Sequence, residues 1–428
     1  MSFPRLLPRA GLAGLAGVAA VCVLAAGTNA ADRPPAPPAQ PHLQPSYRAG
    51  DALHPAALAP ATIAPSATIS VASARPAGTA AAAAAAVIPR LTARQLAGQR
   101  VIYSYGGLTP PAALLTRIRH GEAAGVIFFA GNIASVAQLA GVAKELERAN
   151  ASRLNPVRSP LLLMTDQEGG QVRRLAGQPP YLSEKQIGAA AHPEQQAVIA
   201  GRSAATALRG AGLNLNLAPV VDVYRRQGNF IDRFGRSYSG NPRLVSYVGA
   251  AFIKAQQQGG VAATAKHFPG LGAAATNQDT DAAPVTIRLP ASEIRAVDER
   301  PYRSDIAAGV RLIMVSWAVY PALDSRRPAG LSPVIVQGDL RQRLGFRGVT
   351  ITDALEAGAL RPFGSIASRS LLAAGAGMDL LLCAQQNAGE GDQAASALTA
   401  GYQDGRLGRP AFLASVARNL ILRASQPG

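Results

Sequence analysis

The stretch that decides the fold and the chemistry of this chain is Ala265–Asp281, which reads AKHFPGLGAAATNQDTD. It begins at the end of an apolar, strand-like run and places Lys266 and His267 side by side. A loop of small residues then leads to two carboxylates, Asp279 and Asp281. A basic pair at a strand end, followed by a loop that carries acids, is suited to binding a polar substrate and to proton transfer.

Short apolar and β-branched runs recur from about residue 92, and a stretch with helical character follows each of them. We predict strands at Arg100–Tyr105, Gly125–Phe129, Leu161–Thr165, Asn214–Ala218, Val261–Ala265, Leu312–Val315, Gly348–Thr352 and Met378–Leu382. We predict helices at Pro111–Arg119, Ser135–Asn150, Pro193–Gly210, Pro242–Gln258, Ser292–Ala308, Pro333–Leu344, Ile366–Ala374, Ala388–Tyr402 and Pro410–Ala424. This alternation predicts a (β/α)8 barrel of the TIM type, and a doubly wound parallel sheet is the alternative.

Polar residues follow five of the predicted strands at the same relative position, which favours the barrel. In chain order they are Asp166, Asp222, Lys266-His267, Ser316-Trp317 and Asp353. Because the chemistry of such barrels sits at the carboxyl ends of the strands, we expect these side chains to share one face.

Two further segments carry groups suited to a ligand with hydroxyls. In Thr165–Leu175, Asp166 and Arg174 can hydrogen-bond hydroxyls, and the paired glycines between them let the backbone approach a ligand. In Arg233–Pro242, Arg236 is the expected ligand residue.

Together these segments resemble glycoside hydrolase family 3, and most of all its single-domain β-N-acetylglucosaminidases, which act on cell-wall sugars. The resemblance covers about residues 92–385 and rests on DQEGG at Asp166–Gly170, KHFPG at Lys266–Gly270 and the segment Leu331–Asp353, which ends in ITD. It implies a (β/α)8 barrel and a retaining mechanism with Asp353 as the nucleophile. It also implies substrate-binding roles for Asp166, Arg174, Arg236, Lys266 and His267.

The physical logic of retention agrees with this assignment. It needs a carboxylate that attacks the anomeric carbon and a second group roughly 5 Å away that acts as acid and then as base. Lys266 and arginines are expected near Asp353, where they would keep it ionised. The structural alternatives are that Asp353 caps the following helix, that Lys266 and His267 form a buried pair, and that Asp166 caps a turn.

Other polar residues near the motifs are expected to be structural. Glu168 and Asp222 belong to this group. Trp317 either stacks on a sugar or packs in the core, and Phe268-Pro269 is a candidate cis peptide.

The acidic loop departs from the pattern of the family that it resembles. That branch carries Asp-x-His there, with the His as general acid/base, whereas this chain has Asp279-Thr280-Asp281. A carboxylic acid serves as general acid in most glycosidases, and two close carboxylates can share a proton, which raises one apparent pKa. Asp281 and Asp279 are therefore the candidates for the acid/base. The alternative is a polar lid on a protein with little or no turnover.

The amino-terminal part of the chain has a different composition. Arg5 and Arg9 precede the uncharged apolar run Gly11–Ala26, which predicts a cleaved signal peptide and export; a retained membrane anchor, or lipid attachment at Cys22, is the alternative. The next segment is rich in Ala and Pro, which is typical of a disordered tether. The predicted organisation is a signal peptide at 1–30, a linker at 31–91 and the barrel domain at 92–428.

The formal net charge of +17 bounds the partners of the chain. Only four of its 42 basic residues are lysine, and no basic run is interleaved with aromatics, so nucleic acid is not expected. We interpret the bias as Arg- and Ala-rich coding, with an anionic cell-wall or membrane surface as an alternative partner.

No His, Cys and acid cluster with metal-ligand spacing occurs, so neither a metal nor another cofactor is expected. Cys383 is expected to pack in the core.

The residues and the resemblance together predict an exported, retaining exo-glycosidase that hydrolyses terminal β-N-acetylglucosaminides from cell-wall sugars. The alternatives are a family 3 hydrolase of the β-glucosidase kind and a catalytically weak sugar-binding protein of the envelope. The position of the acidic loop relative to Asp353 distinguishes an enzyme from a binding protein.

Overall fold

The structure, a computed structural model, describes residues 77–427. The predicted signal peptide and the first part of the predicted linker lie outside the described residues. Eight strands form the centre of the fold: β1 (Val101–Tyr103), β2 (Gly125–Ile127), β3 (Leu162–Thr165), β4 (Leu215–Asn216), β5 (Ala262–Phe268), β6 (Leu312–Val315), β7 (Val349–Ala354) and β8 (Leu380–Leu382).

These strands are parallel and close into a barrel in the order β1-β8-β7-β6-β5-β4-β3-β2. Each lies within or overlaps a predicted strand. The closed ring confirms the predicted (β/α)8 barrel and excludes the doubly wound sheet, which would have two edges.

The alternation of side chains along each strand separates two cores. In β3, Leu162 and Met164 point into the barrel, where they join residues such as Ile351 from β7. Their neighbours Leu161 and Leu163 belong to the larger core between the barrel and its helices. Such alternation is what a period of two residues imposes on a barrel strand.

Helices surround the barrel close to the predicted positions. They are α1 (Ala77–Val87), α2 (Ala93–Gly98), α3 (Ala112–Arg119), α4 (Val136–Asn150), α5 (Glu184–Gly188), α6 (Pro193–Gly210), α7 (Pro242–Gln258), α8 (Ala291–Glu293), α9 (Arg300–Ala307), α10 (Ile366–Ala376), α11 (Ala388–Gln403) and α12 (Arg409–Ala424). The segments Ile294–Asp298 and Val334–Arg343 are π-helical. α6 and α7 begin at their prolines because a first helical turn does not need the missing N–H.

The structured part of the chain begins before the predicted boundary at residue 91. α1 and the 3-10 turn Ile88–Arg90 occupy the end of the predicted disordered linker. Ala80 and Ala84 lie four residues apart on one face of α1 and are buried, and α1 packs against α12. The linker prediction is therefore wrong for residues 77–91, because a run of alanines supplies helix propensity together with a surface that packs closely.

Two short antiparallel ribbons extend from the carboxyl ends of the strands. One pairs Gln167–Gly169 with Val172–Arg173 after β3, and the other pairs Val319–Tyr320 with Asp324–Pro328 after β6. They build up the rim of the face where the polar residues converge. Within residues 77–427, no helix combines the length and the apolar character that crossing a membrane requires.

Candidate active site

The candidate site lies at the carboxyl ends of the strands, with β5 at its centre. β5 is buried along its whole length and carries Lys266 and His267 at its end. Their side chains are only 2% and 6% exposed. The peptide bonds Lys266–His267 and Phe268–Pro269 are cis, the second as predicted. A lysine and a histidine buried to this extent require polar partners.

Lys266 belongs to a cluster of four charged side chains. Its Nζ lies 2.7 Å from Asp166 Oδ1 and 2.7 Å from Glu168 Oε1. Arg236 donates two hydrogen bonds of 2.8 Å to Glu168, from Nε to Oε2 and from Nη2 to Oε1. Lys266 thus contacts Asp166 directly and is joined to Arg236 through Glu168, which has the structural role predicted for it.

The neighbouring charges in this cluster favour the ionised forms of Glu168 and Lys266. Burial alone would raise the pKa of Glu168, but Arg236 and Lys266 outweigh it and lower that pKa to about 2. Burial alone would lower the pKa of Lys266, but Asp166 and Glu168 outweigh it and raise that pKa. The ammonium and guanidinium donors that these bonds do not use remain available to hydroxyl groups.

His267 is oriented by a buried carboxylate. Its Nδ1 lies 2.8 Å from Asp222 Oδ2. Asp222 Oδ1 also accepts the backbone N–H of Leu271 at 2.6 Å and that of His267 at 3.3 Å. The structural role expected for Asp222 is confirmed, and its bond to Nδ1 leaves Nε2 as the ring atom that can meet a ligand.

Arg174 is placed beside Asp166 by the backbone. Its N–H donates to Asp166 O over 3.1 Å. Its side-chain Nε is buried and has no hydrogen-bond partner among residues 77–427. Since a buried donor without an acceptor is costly, this favours a ligand that supplies one.

The glycine pair Gly169-Gly170 permits close packing of the backbone. Both glycines have positive φ, of 121° and 54°. A Cβ atom at Gly169 would lie 2.3 Å from Leu182 O, and one at Gly170 would lie 2.5 Å from Ser183 Cβ. The pair therefore lets the chain before α5 pack against the ribbon.

Asp353 lies at the end of β7 and is half-buried. Its Oδ1 accepts the N–H of Ala354 over 2.8 Å. It makes no ion pair with another described residue, and Lys266, expected beside it, instead pairs with Asp166 and Glu168. The expected direct contact between Lys266 and this carboxylate is therefore not formed.

Trp317 supports the backbone next to Asp353. The indole is fully buried, and its Nε1 donates to Ala354 O over 2.8 Å. A Cβ atom at Gly330 would lie 2.5 Å from the ring, so the pocket around the indole is closely packed. Of the two roles left open by the sequence, core packing is confirmed and stacking on a sugar is excluded.

The acidic loop is fastened to the segment that follows Asp353. Gly358 N donates to Asp281 O over 2.8 Å, and Ala359 N donates to Thr280 O over 3.0 Å. A Cβ atom at Gly358 would lie 2.1 Å from Ala282 O, so only glycine permits this approach. The loop that replaces Asp-x-His therefore lies beside the candidate nucleophile.

The two carboxylates of the loop have different environments. Asp279 Oδ1 accepts the backbone N–H of Asp281 over 2.9 Å, which gives Asp279 a role in shaping the turn. Desolvation by the surrounding protein, with the negative charges of Asp353 and Asp279, raises the pKa of Asp281 to about 7. Asp281 is exposed, so contact with solvent weakens the contribution of desolvation to this pKa shift. The repulsion by the two neighbouring carboxylates remains and still raises the pKa. Asp281 is therefore the better of the two candidates for a proton donor.

Glu184 lies at the candidate site, although no sequence pattern marks it as a functional residue. Glu184 is buried, its Oε1 accepts the N–H of Val220 over 2.8 Å, and its Oε2 has no partner within residues 77–427. Burial and the charge of Glu168 raise its pKa well above the usual range. The sequence shows only an acid in the first turn of α5, which is common at helix starts.

Comparisons with known proteins agree with this geometry. Residues 95–422 match the family described as Glycosyl hydrolase family 3 N terminal domain. An uncharacterized secreted glycosyl hydrolase of Arthroderma benhamiae is 46% identical over 328 residues, which cover 77% of this chain and 92% of that protein. A beta-hexosaminidase of Stenotrophomonas maltophilia is 36% identical over 277 residues, which cover 62% of this chain and 77% of that protein.

A solved structure shares the same architecture. The glycoside hydrolase family 3 beta-N-acetylglucosaminidase from a Paenibacillus species superposes with a TM-score of 0.73 and 33% sequence identity. The superposition covers 78% of this chain and 63% of that one.

Proposed function

The chain belongs to glycosyl hydrolase family 3, as its motifs predict, and from this premise we propose that it is an exported, retaining exo-glycosidase. Its proposed substrates are terminal β-N-acetylglucosaminides of cell-wall sugars. The acetamido sugar is supported by relatives named beta-hexosaminidase and by the Paenibacillus beta-N-acetylglucosaminidase. Export is supported by the predicted signal peptide and by the Arthroderma relative that is named as secreted.

In the first step of the proposed reaction, Asp353 attacks the anomeric carbon of the bound sugar. Protonated Asp281 gives its proton to the glycosidic oxygen, the glycosidic bond breaks, and the aglycone leaves as an alcohol. The product of this step is a covalent glycosyl ester of Asp353. A pKa near 7 lets Asp281 hold the proton that this step consumes.

In the second step, water replaces the aspartyl group. Asp281, now ionised, takes a proton from the water, whose oxygen attacks the anomeric carbon. The ester bond to Asp353 breaks, and the sugar leaves with its original configuration. Both residues return to their starting protonation states.

The observation that carries this proposal is the attachment of the acidic loop to the segment after Asp353. Through Gly358 N and Asp281 O, the loop is held beside β7. Desolvation, and after it the negative charge of Asp353, raises the pKa of Asp281. A catalytically weak binding protein has no need for two acids arranged in this way.

The remaining residues would hold the sugar. We assign hydrogen bonds to its hydroxyls to Asp166, Arg174, Arg236, Lys266 and His267. Among the described residues the Arg174 side chain makes no hydrogen bond and His267 uses only Nδ1, so these two residues are the first choice for direct contacts.

The test compares hydrolysis of 4-nitrophenyl β-N-acetylglucosaminide with that of the matching β-glucoside, using the full chain. We expect turnover of the first substrate and retention of configuration, observed by NMR of the first-formed sugar. A matched Asp353→Asn preparation controls for contaminating enzymes. Turnover of the glucoside alone would move the substrate to the β-glucosidase kind. No turnover of either by a folded protein that binds sugar would favour the binding protein.

A further inference from the structure

A second concave surface lies on the outer wall of the barrel, between α7 and the segment Ala291–Ala307. Its volume is about 680 Å³, which is within the range of ligand-binding sites. The residues that line it include no acid and four arginines, which are Arg243, Arg295, Arg300 and Arg303. We call this surface the arginine groove.

Three of the four arginines lack a partner for the guanidinium group. Arg243, Arg300 and Arg303 are exposed, and within residues 77–427 their side chains make no hydrogen bond or ion pair. Only Arg295 has one, at 3.3 Å from Asp339 Oδ1. Arg300 and Arg303 are three residues apart on one helix face, where like charges repel. An anion in the groove would relieve this repulsion.

Of the four acids on the same segment, Asp305 is fully buried and does not line the groove, and the other three pair with arginines outside the groove. Glu293 and Asp298 both pair with Arg225, at 3.5 and 2.5 Å. Glu299 pairs with Arg343. The charge of the groove is therefore not neutralised from within this segment.

The groove combines its cations with an exposed aromatic ring. Tyr247 follows Arg243 by four residues, so both lie on the same face of α7, and Tyr247 is 45% exposed. Planar guanidinium groups bind carboxylates, sulfates and phosphates with two parallel hydrogen bonds. An aromatic face packs against the apolar side of a sugar ring. Together these groups match a sugar polymer that carries negative charges.

The groove also lies near the catalytic face. In this barrel the helices begin on the side where the strands end, and Arg243 is in the first turn of α7. A polymer in the groove would thus run along the outer wall toward the rim where Asp353 lies. A membrane surface fits less well, because Tyr247 is the only exposed large apolar side chain among the residues that line the groove.

We propose that the arginine groove binds an anionic polysaccharide and anchors the enzyme along it. This binding uses no residue of the catalytic site and does not depend on turnover. The sequence analysis left an anionic cell-wall surface open as a partner. The arginine groove gives this partner a binding site on the protein, which the net charge alone could not identify.

The test measures binding of the full chain to polygalacturonate, to dextran sulfate and to uncharged dextran by affinity electrophoresis at low salt. We expect retardation by the two charged polymers alone, and its loss at high salt because the contacts are screened. The triple variant Arg243→Gln/Arg300→Gln/Arg303→Gln should bind about tenfold more weakly or worse, since each arginine supplies charge-assisted hydrogen bonds. Its turnover of a small aryl glycoside should equal that of the unaltered chain.

The control variant Arg119→Gln/Arg153→Gln/Arg202→Gln removes the same charge from exposed arginines outside the groove. Retained binding in this control supports the proposal. Equal losses in both triple variants would overturn it, because net charge alone would then explain the binding. Preferential binding to vesicles containing 30% phosphatidylglycerol, with none to the polymers, would also overturn it in favour of a membrane.

Discussion

At the amino end of the barrel Asp379 is enclosed by partners, whereas at the carboxyl end Asp281 and Asp353 have no cation from residues 77–427 in contact. Asp379 is fully buried, and Arg418 Nη2 lies 2.7 Å from its Oδ1, with Arg341 Nη2 2.5 Å from its Oδ2. The N–H of Thr350 donates to the same Oδ2 over 2.9 Å. Burial alone would raise the pKa of Asp379, but Arg341 and Arg418 outweigh it and lower that pKa.

The difference between the two ends shows that an ion-paired carboxylate stabilises the fold, whereas a carboxylate without an ion pair can take part in a reaction. An acid with its oxygens saturated by cations has one protonation state at neutral pH and ties the elements around it together. Asp281, with two carboxylates as neighbours, has a pKa of about 7 and can gain or lose its proton. An aspartate side chain thus stabilises the amino end of the barrel, and another aspartate can take part in catalysis at the carboxyl end.

The largest effect is expected for Asp353→Asn. Removing the nucleophile should lower kcat for 4-nitrophenyl β-N-acetylglucosaminide by about 10⁴-fold or more. Stability should change little, because Asp353 makes no ion pair with another described residue. Unfolding in urea can be followed by the fluorescence of Trp317, the only tryptophan in the chain. Substantial turnover in this variant would remove Asp353 from the role of nucleophile.

Asp379→Asn should show the opposite behaviour. It leaves Arg341 and Arg418 without their counter-charge, so the free energy of unfolding should fall by about 3 to 5 kcal/mol. The kcat of the folded fraction should be unchanged. Because the folded-state pKa is lowered, this stabilisation is present above about pH 4 and is lost as the pH falls through the folded-state pKa. Urea titrations at pH 7 and pH 3 should therefore differ less for the variant than for the unaltered chain.

Asp281→Ala tests the acid at the reactive end. Loss of a general acid should slow aryl glycosides with poor leaving groups by about 10²-fold or more. Substrates with good leaving groups should be slowed less in the bond-breaking step, since their aglycones depart without a proton. The ratio kcat/KM across a series of phenols measures this dependence, because it reports the bond-breaking step and not the later attack by water. Equal losses across the series would exclude Asp281 as the acid.

The smallest effect is expected for Asp279→Asn. The amide oxygen can still accept the N–H of Asp281 and keep the turn, but the negative charge is gone. The pKa of Asp281 should fall from about 7, because one cause of its upward shift is removed. The rate falls as the pH rises through that pKa, so the descending limb of the pH–rate profile should move to lower pH, by less than about one unit. An unmoved limb would mean that Asp279 does not influence the acid.

Much of the fold was predictable because local patterns specify it. The strands are short apolar runs with β-branched residues, and α6 and α7 begin at prolines that the sequence displays. The barrel itself followed from polar residues at equivalent strand ends, which is a property of the whole chain. The packing of Ala77–Val87 against α12 was not predictable, because a run of identical alanines has no periodicity to mark which face is buried.

The convergence of the polar strand-end residues on one face of the barrel was predictable, but their partners were not. Lys266 was expected beside Asp353, yet it pairs with Asp166, which is 100 positions earlier in the chain. Such pairings depend on the angular position of each strand in the ring, which no local pattern contains. For the same reason the sequence could not show that Gly358 brings the acidic loop to β7, or that Glu168 joins Lys266 to Arg236.

The contact between Gly358 and Ala282 has a consequence for protein engineering. The loop that bears Asp281 and the segment that follows Asp353 approach so closely that a single methyl group at position 358 would collide with Ala282 O. The loop is therefore not an interchangeable module. A chimera that imports an Asp-x-His loop from a relative must import the matching segment after β7, or the transplanted residue will be displaced from the bond it has to break.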